Sequence, residues 1–378
     1  MYYYTIRQNR RPVQLKFEDV LFGTANVEKW SGESDRTGTI TRCVEEIPDE
    51  LKQKVNVKNL ISWLQQFNKR HENLFQAERD SLYNHFKIPK KTGGWRPIDA
   101  PCDELQSALK SLADFLKFDC GMLYHTAAYA YIDGRCTVDA VKKHAEFKSN
   151  WYLKTDVSGF FPNTTLDFTM SMLSKIFPLC EVVKEEDGQE ALRKAISLAF
   201  LNDGLPQGTV ASPILTSVLM IPIDHKLFGL LSRRKMVYTR YADDMHISAR
   251  EKFPYEEIVG MIKNVFEEFG APYTIKDEKT HYGSVAGNNW CLGLMSNGNY
   301  DVTVGHRTKK FFKAALCNFI LDTKNNKYWD LDDVQELYGK LSYYKMVEKD
   351  YFNRVIIRAN KKWNVNAENM MKSYLNVA

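Results

Sequence analysis

Cysteine is sparse and unpatterned. The 378 residues hold seven, Cys43, Cys102, Cys120, Cys136, Cys180, Cys291 and Cys317. The number is odd and no CxxC pair occurs, which makes a disulfide framework improbable and a thiolate zinc site unexpected. No stretch approaches the roughly 18–20 apolar residues of a membrane span, so no membrane partner is expected. The opening Met1-Tyr2-Tyr3-Tyr4-Thr5 lacks the succession of charge, apolar run and small residues of a secretory signal. These absences point to a reducing cytoplasm. A strong charge of one sign is also missing, since the net charge is only +5. No internal repeat or low-complexity tract breaks the chain.

The apolar content, 44%, and the charged content, 26%, are ordinary for a globular protein, and the length allows two or three packed subdomains. The charge is unevenly distributed. From His306 to Ala378 there are fourteen Lys/Arg against eight Asp/Glu, an excess of six that leaves the rest of the chain near neutral. A basic tail on a neutral body suits a surface that tracks a nucleic-acid backbone, although a solvated helical face explains it equally well. Residues 1–55 read as mixed and irregular. Helical spacing runs over Val57–Phe86, Glu104–Phe118, Gly134–Phe147, Tyr255–Phe269, His306–Leu321, Leu331–Lys345 and Asp350–Trp363. Gly93-Gly94, between strand-like runs, marks a hairpin from Lys90 to Ile98. The charged run within Val183–Ala191 reads as an exposed loop.

The chemistry concentrates at Tyr241-Ala242-Asp243-Asp244. Met236–Arg240 before it and Met245–Ser248 after it alternate as strands do, which puts two aspartates at the tip of a hairpin. Asp156 falls near the end of another apolar strand, Tyr152–Val157. Alone, an Asp-Asp turn is more often a local device than a site. Carboxylates on rigid strand ends can, however, clamp two Mg²⁺ ions about 3.5–4 Å apart for in-line phosphoryl transfer, and hard cations take oxygen ligands.

Other segments follow in a fixed order. They are Asp156-Val157-Ser158-Gly159-Phe160-Phe161, Leu205-Pro206-Gln207-Gly208 with Ala211-Ser212-Pro213, the Tyr-Ala-Asp-Asp turn, Lys276-Asp277-Glu278-Lys279-Thr280, and Trp290-Cys291-Leu292-Gly293-Leu294. Over roughly residues 90 to 320 the series resembles motifs A to E of a reverse transcriptase. The resemblance implies an α+β right-hand polymerase. Its expected parts are an N-terminal extension (1–55), fingers (56–150), a palm whose antiparallel sheet bears the Asp triad (151–305) and a helical thumb (306–378).

The resemblance also assigns roles. Asp156, Asp243 and Asp244 would be catalytic and, with Val157, would hold two Mg²⁺ ions, with Mn²⁺ as a substitute. Lys279 would protonate the departing pyrophosphate. Lys90, Lys91 and Arg96 would grip the β- and γ-phosphates, and Gln207 would contact the incoming nucleotide. Phe161 would be the steric gate against a ribose 2′-OH, which implies DNA synthesis. Trp290, Leu292 and Gly293 would hold the primer end, and Lys309, Lys310 and Lys313 would follow the duplex. The expected partners are an RNA template or noncoding RNA, a DNA primer or product, and dNTPs. An effector protein or a second copy stays open.

The compact plan resembles bacterial retron reverse transcriptases. It departs from them at Asp139-Ala140-Val141-Lys142-Lys143-His144, where they usually carry Asn-Ala-x-x-His, and at Cys291-Leu292-Gly293, where they often carry Val-Thr-Gly. The chain is expected to be retron-like or one of the related solitary reverse transcriptases of bacterial antiphage defence. Three modes of synthesis stay open: templated copying of a noncoding RNA, retron synthesis of RNA-linked multicopy single-stranded DNA, and template-independent or protein-primed synthesis.

Overall fold

A computed structural model of the chain describes residues 1–7, 39–90, 93–121, 124–287, 291–297 and 299–376. They form two compact units, residues 1–136 with 151–282, and residues 137–150 with 283–378.

In the first unit the tyrosine-rich start is strand β1 (Tyr2–Arg7), antiparallel to β2 (Thr39–Val44). The segment read as irregular thus contains a paired strand at each end of its undescribed stretch. Strands β3 (Tyr83–Pro89) and β4 (Trp95–Pro101) form the expected hairpin, with Ile88 opposite Arg96. The central sheet is antiparallel. Its members are β5 (Trp151–Ser158), β6 (Val237–Tyr241), β7 (Asp244–Ala249) and β8 (Thr274–Ile275) in the order β6-β7-β5-β8, and β9 (His281–Ser284) also pairs with β5.

Helix Ala211–Arg233 is the core element of this unit. Leu215, Val218, Leu219, Met220 and Ile223 on it are fully buried, and each such side chain contributes about 1.5–3 kcal/mol by leaving water. The helix is long and apolar enough to cross a membrane by length and composition. That corrects the expectation that no stretch comes close; most of its surface is occupied by the core.

Two further expectations fail locally. The helix begun at Val57, where the Asn56 side chain accepts from the Asn59 amide at 3.2 Å, ends at Arg70. A short helix follows at Glu72–Gln76. Gln76–Ser81 offers no apolar stripe to extend it, and Tyr83 has already entered β3, opposite Pro101. The supposed charged loop is helical, as Leu179–Lys184 and Glu186–Ser197. Ala191, Leu192, Ala195 and Ile196 pack inward at helical spacing, so the charges are the solvent face of an amphipathic helix.

The second unit joins helix Thr137–Glu146 to the small hairpin β10 (Met295–Ser296) and β11 (Val302–Thr303), and to helices His306–Lys324, Leu331–Val347 and Lys349–Trp363. A further helix, Ala367–Asn376, was not anticipated. Asp330 caps the second of the long helices by accepting from the Asp332 amide at 3.0 Å.

Candidate active site

Register places the carboxylates. Strands β5 and β7 run antiparallel with Asp156 directly opposite Asp244, and Tyr241 pairs with Asp244 to close the two-residue turn Ala242-Asp243. Ala242 has φ +56°. A positive φ at the first central position suits the right-handed twist of a hairpin and usually selects glycine, so an alanine there is strained. The Val157 amide donates to the Asp243 carbonyl at 3.0 Å, tying the turn to β5. Three carboxylates therefore share one end of the sheet, and Asp156 is only 7% exposed.

Their mutual repulsion is visible. Burial, then the neighbouring Asp243 and Asp156, pushes the Asp244 carboxyl up to about 6. Asp243 is raised as well, chiefly by burial and then by Asp156. Two lysines offset part of this charge. Lys279 Nζ donates to Asp156 Oδ2 at 2.8 Å, and Lys276 Nζ lies 3.4 Å from Oδ1. The Asp156 hydrogen bond raises the Lys279 ammonium above its ordinary value, so the expected general acid is held protonated.

This donor set fits a divalent cation. The available atoms are carboxylate oxygens, the choice of hard ions. Asp156 Oδ1 is buried and has no hydrogen bond, Lys276 standing 3.4 Å away, and burial, followed by the neighbouring carboxylates, raises the other two carboxyls. Among the described residues no three His, Cys, Asp or Glu side chains are gathered around a single point. Lysine cations are the groups that meet Asp156, and an ion taking Asp156 competes with them.

The neighbouring segments are stitched to this end of the sheet by backbone bonds. The Phe161 carbonyl accepts from the Leu205 amide at 3.0 Å, and Phe161 is half-buried beside the buried Phe160, with ring centroids 5.7 Å apart. The approach is so close that a Cβ on Gly204 would lie 2.2 Å from the Pro162 carbonyl oxygen. The Gln207 carbonyl accepts from the Asp99 amide of β4 at 2.7 Å. At Gly208, φ is +130° and a Cβ would meet the Asp99 carbonyl oxygen at 2.8 Å. The Leu-Pro-Gln-Gly turn is thus wedged between the Phe161 turn and the β3–β4 hairpin, where Arg96 and Lys90 are exposed. Lys91 and Trp290 lie outside the described residues.

In the second unit, Leu292 and Gly293 form a tight turn with φ +52° and +76°, closed by bonds between Cys291 and Leu294. Lys310 and Lys313 are exposed on helix His306–Lys324. Lys309 is engaged instead: its ammonium pairs with Glu348 and lies 4.5 Å from the Tyr351 ring centroid.

Sequence reasoning missed several neighbours of the turn. Lys276 has no role in the motif reading, yet its ammonium lies 3.4 Å from Asp156. Tyr131, at φ +61° and 45% exposed, is raised by burial and then by Asp243 and Tyr241. It ends a segment whose Tyr129 amide donates to the Arg240 carbonyl at 2.9 Å. The buried pair Asp224–Arg240 was also missed. Its signal was present, since a lone aspartate in an apolar helix demands a partner.

Comparison with known proteins shows the family. A family model described as reverse transcriptase (RNA-dependent DNA polymerase) matches residues 88–313. The chain is 25% identical over 314 residues to the retron Ec83 reverse transcriptase of Escherichia coli, covering 80% of this chain and 93% of that protein. It is 27% identical over 273 residues to the retron Ec73 reverse transcriptase of the same organism, covering 71% and 84%. Among solved structures, the apo telomerase of Candida Tropicalis aligns over 74% of this chain and 61% of its own, at 14% identity and a TM-score of 0.42. The expected α+β class holds, with an antiparallel sheet beside many helices, and the family model agrees with a right-hand polymerase. With well over half of its residues inside the family model, the chain belongs to the reverse transcriptase family and is an RNA-directed DNA polymerase.

Proposed function

We propose that Asp156, Asp243 and Asp244, with Val157 beside them, hold two Mg²⁺ ions, replaceable by Mn²⁺, and that the chain extends a DNA 3′ end along a partner noncoding RNA. The observation that carries this reading is the cross-strand pairing of Asp156 with Asp244 at the Asp243 turn. Bound ions would polarise the α-phosphate, activate the primer hydroxyl and neutralise the leaving group. The protein's share is to hold the carboxylates on stiff strand ends and to position the reactants. Phe161, anchored through its carbonyl, lies under the sugar and excludes a 2′-OH. Gln207, on a turn bolted to β4, orients the nucleotide. Arg96, Lys90 and Lys91 meet its phosphates, Lys279 neutralises the departing pyrophosphate, and Trp290, Leu292 and Gly293 hold the primer end.

The fingers (56–150), palm (151–305) and thumb (306–378) are functional names for this division of labour. The reverse transcriptase family supports an RNA template, and its being a partner noncoding RNA rests on the resemblance to retron enzymes. A role in bacterial antiphage defence rests on the resemblance to solitary defence enzymes. The test is incorporation of dTTP on poly(rA)·oligo(dT) with Mg²⁺, comparing wild type with Asp243→Asn/Asp244→Asn. The double variant should incorporate nothing while still binding RNA, and wild-type incorporation by it would overturn the site. Sequencing DNA that copurifies with the protein checks the template: a unique sequence complementary to a bound RNA is expected, and a homopolymer would refute templated synthesis.

A further inference from the structure

Asp224 lies in the middle of the apolar Ala211–Arg233 helix and is fully buried; Arg240 on β6 is 1% exposed. Their contact is a two-point fork, with Arg240 Nε to Asp224 Oδ1 at 2.9 Å and Nη2 to Oδ2 at 2.7 Å. Tyr238 donates its hydroxyl to the same Oδ1 at 2.8 Å. The third arm of the guanidinium leaves the pair: Arg240 Nη1 donates to the Ala242 carbonyl at 3.0 Å. Ala242 is the left-handed residue of the carboxylate turn. The Arg240 backbone is fixed as well, its amide donating to Ala127 O at 2.7 Å and its carbonyl accepting from Tyr129 N at 2.9 Å.

We propose that the Asp224–Arg240 pair is a positioning device for the catalytic turn: Asp224 aims the guanidinium, and its free arm pins the Ala242 carbonyl, which fixes the direction of Asp243 and Asp244. The proposal rests on the reading of those aspartates as the carboxylates of the reacting centre. A buried ion pair is a poor source of stability, because desolvation opposes the attraction and apolar replacements often do as well. A pair used only for cohesion has no need of a third bond to the one strained residue of the turn. A strained backbone persists where its surroundings over-determine it, and here that support comes from a side chain. The same helix begins just after the Gln207 turn, so one rigid element sets both the nucleotide-side turn and the carboxylate turn. Arginine is required for its planar fork. A lysine could meet Asp224 as a point charge, but it cannot make the two carboxylate bonds and the carbonyl bond in one plane.

The test is Arg240→Lys, assayed on poly(rA)·oligo(dT) with dTTP over a Mg²⁺ titration, beside wild type and Asp243→Asn. The variant should fold and bind primer–template within about twofold of wild type. Its kcat should fall about 10- to 100-fold, the scale of a small misplacement of reacting groups, and its half-saturating Mg²⁺ concentration should rise. An unchanged kcat and Mg²⁺ midpoint, whether or not the melting temperature drops, would overturn the proposal. Should Arg240→Lys fail to fold, Asp224→Asn decides: it removes the charge that aims the fork while leaving arginine in place. The same loss of kcat at unchanged primer–template affinity is expected, and wild-type kcat would refute the clamp. Asp243→Asn separates the two levels, since activity in that variant overturns the underlying site, whereas its inactivity beside a fully active Arg240→Lys overturns the clamp alone.

Discussion

Replacing Asp244 with asparagine should stabilise the metal-free protein while removing its response to Mg²⁺. Asp244 is pressed by burial and by two neighbouring carboxylates, which lift its carboxyl from 3.8 to about 6. A carboxyl raised on folding binds more protons folded than unfolded between these two values. Stability therefore falls as the pH rises from about 4 to about 6, and the full penalty persists above that window. Two units correspond to about 3 kcal/mol. Asp244 is only half-buried, and solvent screening reduces the figure to about 1–2 kcal/mol. For a unit of this size that is a rise of about 2–6 °C in melting temperature for the variant. The assay is thermal unfolding in EDTA at pH 4.5, 6 and 7.5. Asp244→Asn should melt above wild type at pH 7.5, with the gap closing toward pH 4.5. Added Mg²⁺ should then raise the wild-type melting temperature and leave the variant where it was. A variant that melts at or below wild type at pH 7.5, or a gap independent of pH, would refute the picture of three mutually repelling carboxylates.

Phe161→Ala should admit ribonucleotides, measured as a fall in the ratio of dCTP to rCTP incorporation; an unchanged ratio would leave Phe161 a packing residue. Gly204→Ala forces a Cβ to 2.2 Å from the Pro162 carbonyl oxygen and should cost about 1–3 kcal/mol of stability, read by denaturant unfolding. Neutralising Lys310 and Lys313 should reduce the slope of log affinity against log salt for a hairpin RNA–DNA primer–template by about one to two. Lys309→Ala, which breaks the pair with Glu348, should instead lower the melting temperature of the second unit and leave the slope nearly intact.

The parts of the fold legible in the sequence were those written locally. The Tyr241–Asp244 hairpin could be read because strand alternation and a two-residue turn are short-range patterns, and the register then follows without reference to distant residues. Helices with one apolar face, such as Tyr255–Glu268, were legible for the same reason. Misreadings occurred where polarity was mistaken for exposure. Glu186–Ser197 carries its charges on one side of a buried face, and a charge run alone does not distinguish that from a loop. Asp224, His225 and Lys226 interrupt the apolar pattern of the Ala211–Arg233 helix, yet Asp224 turns inward to Arg240.

The state of the charges at the site was not legible, because each depends on a partner far along the chain. Asp156 meets Lys279 across 123 positions, and Lys309 meets Glu348 across 39. The resemblance suggested a general acid in one case and a duplex contact in the other. Geometry shows both ammonium groups already committed to carboxylates, and for the two the consequence differs. Glu348 also accepts from the Val304 amide at 3.0 Å and from the Thr303 hydroxyl at 2.8 Å, so Lys309 joins a carboxylate whose other bonds already anchor the start of its helix. Asp156 Oδ1 has no hydrogen bond at all, and the two carboxyls beside Asp156 are raised. On the proposed reading, a cation taking Asp156 would displace Lys279 and Lys276 from it while relieving repulsion among three carboxylates. Displacing Lys309 from Glu348 relieves nothing. On that reading the lysine–carboxylate contact at the carboxylate turn is exchangeable and the one in the helical unit is structural, and the difference lies in what surrounds the carboxylate.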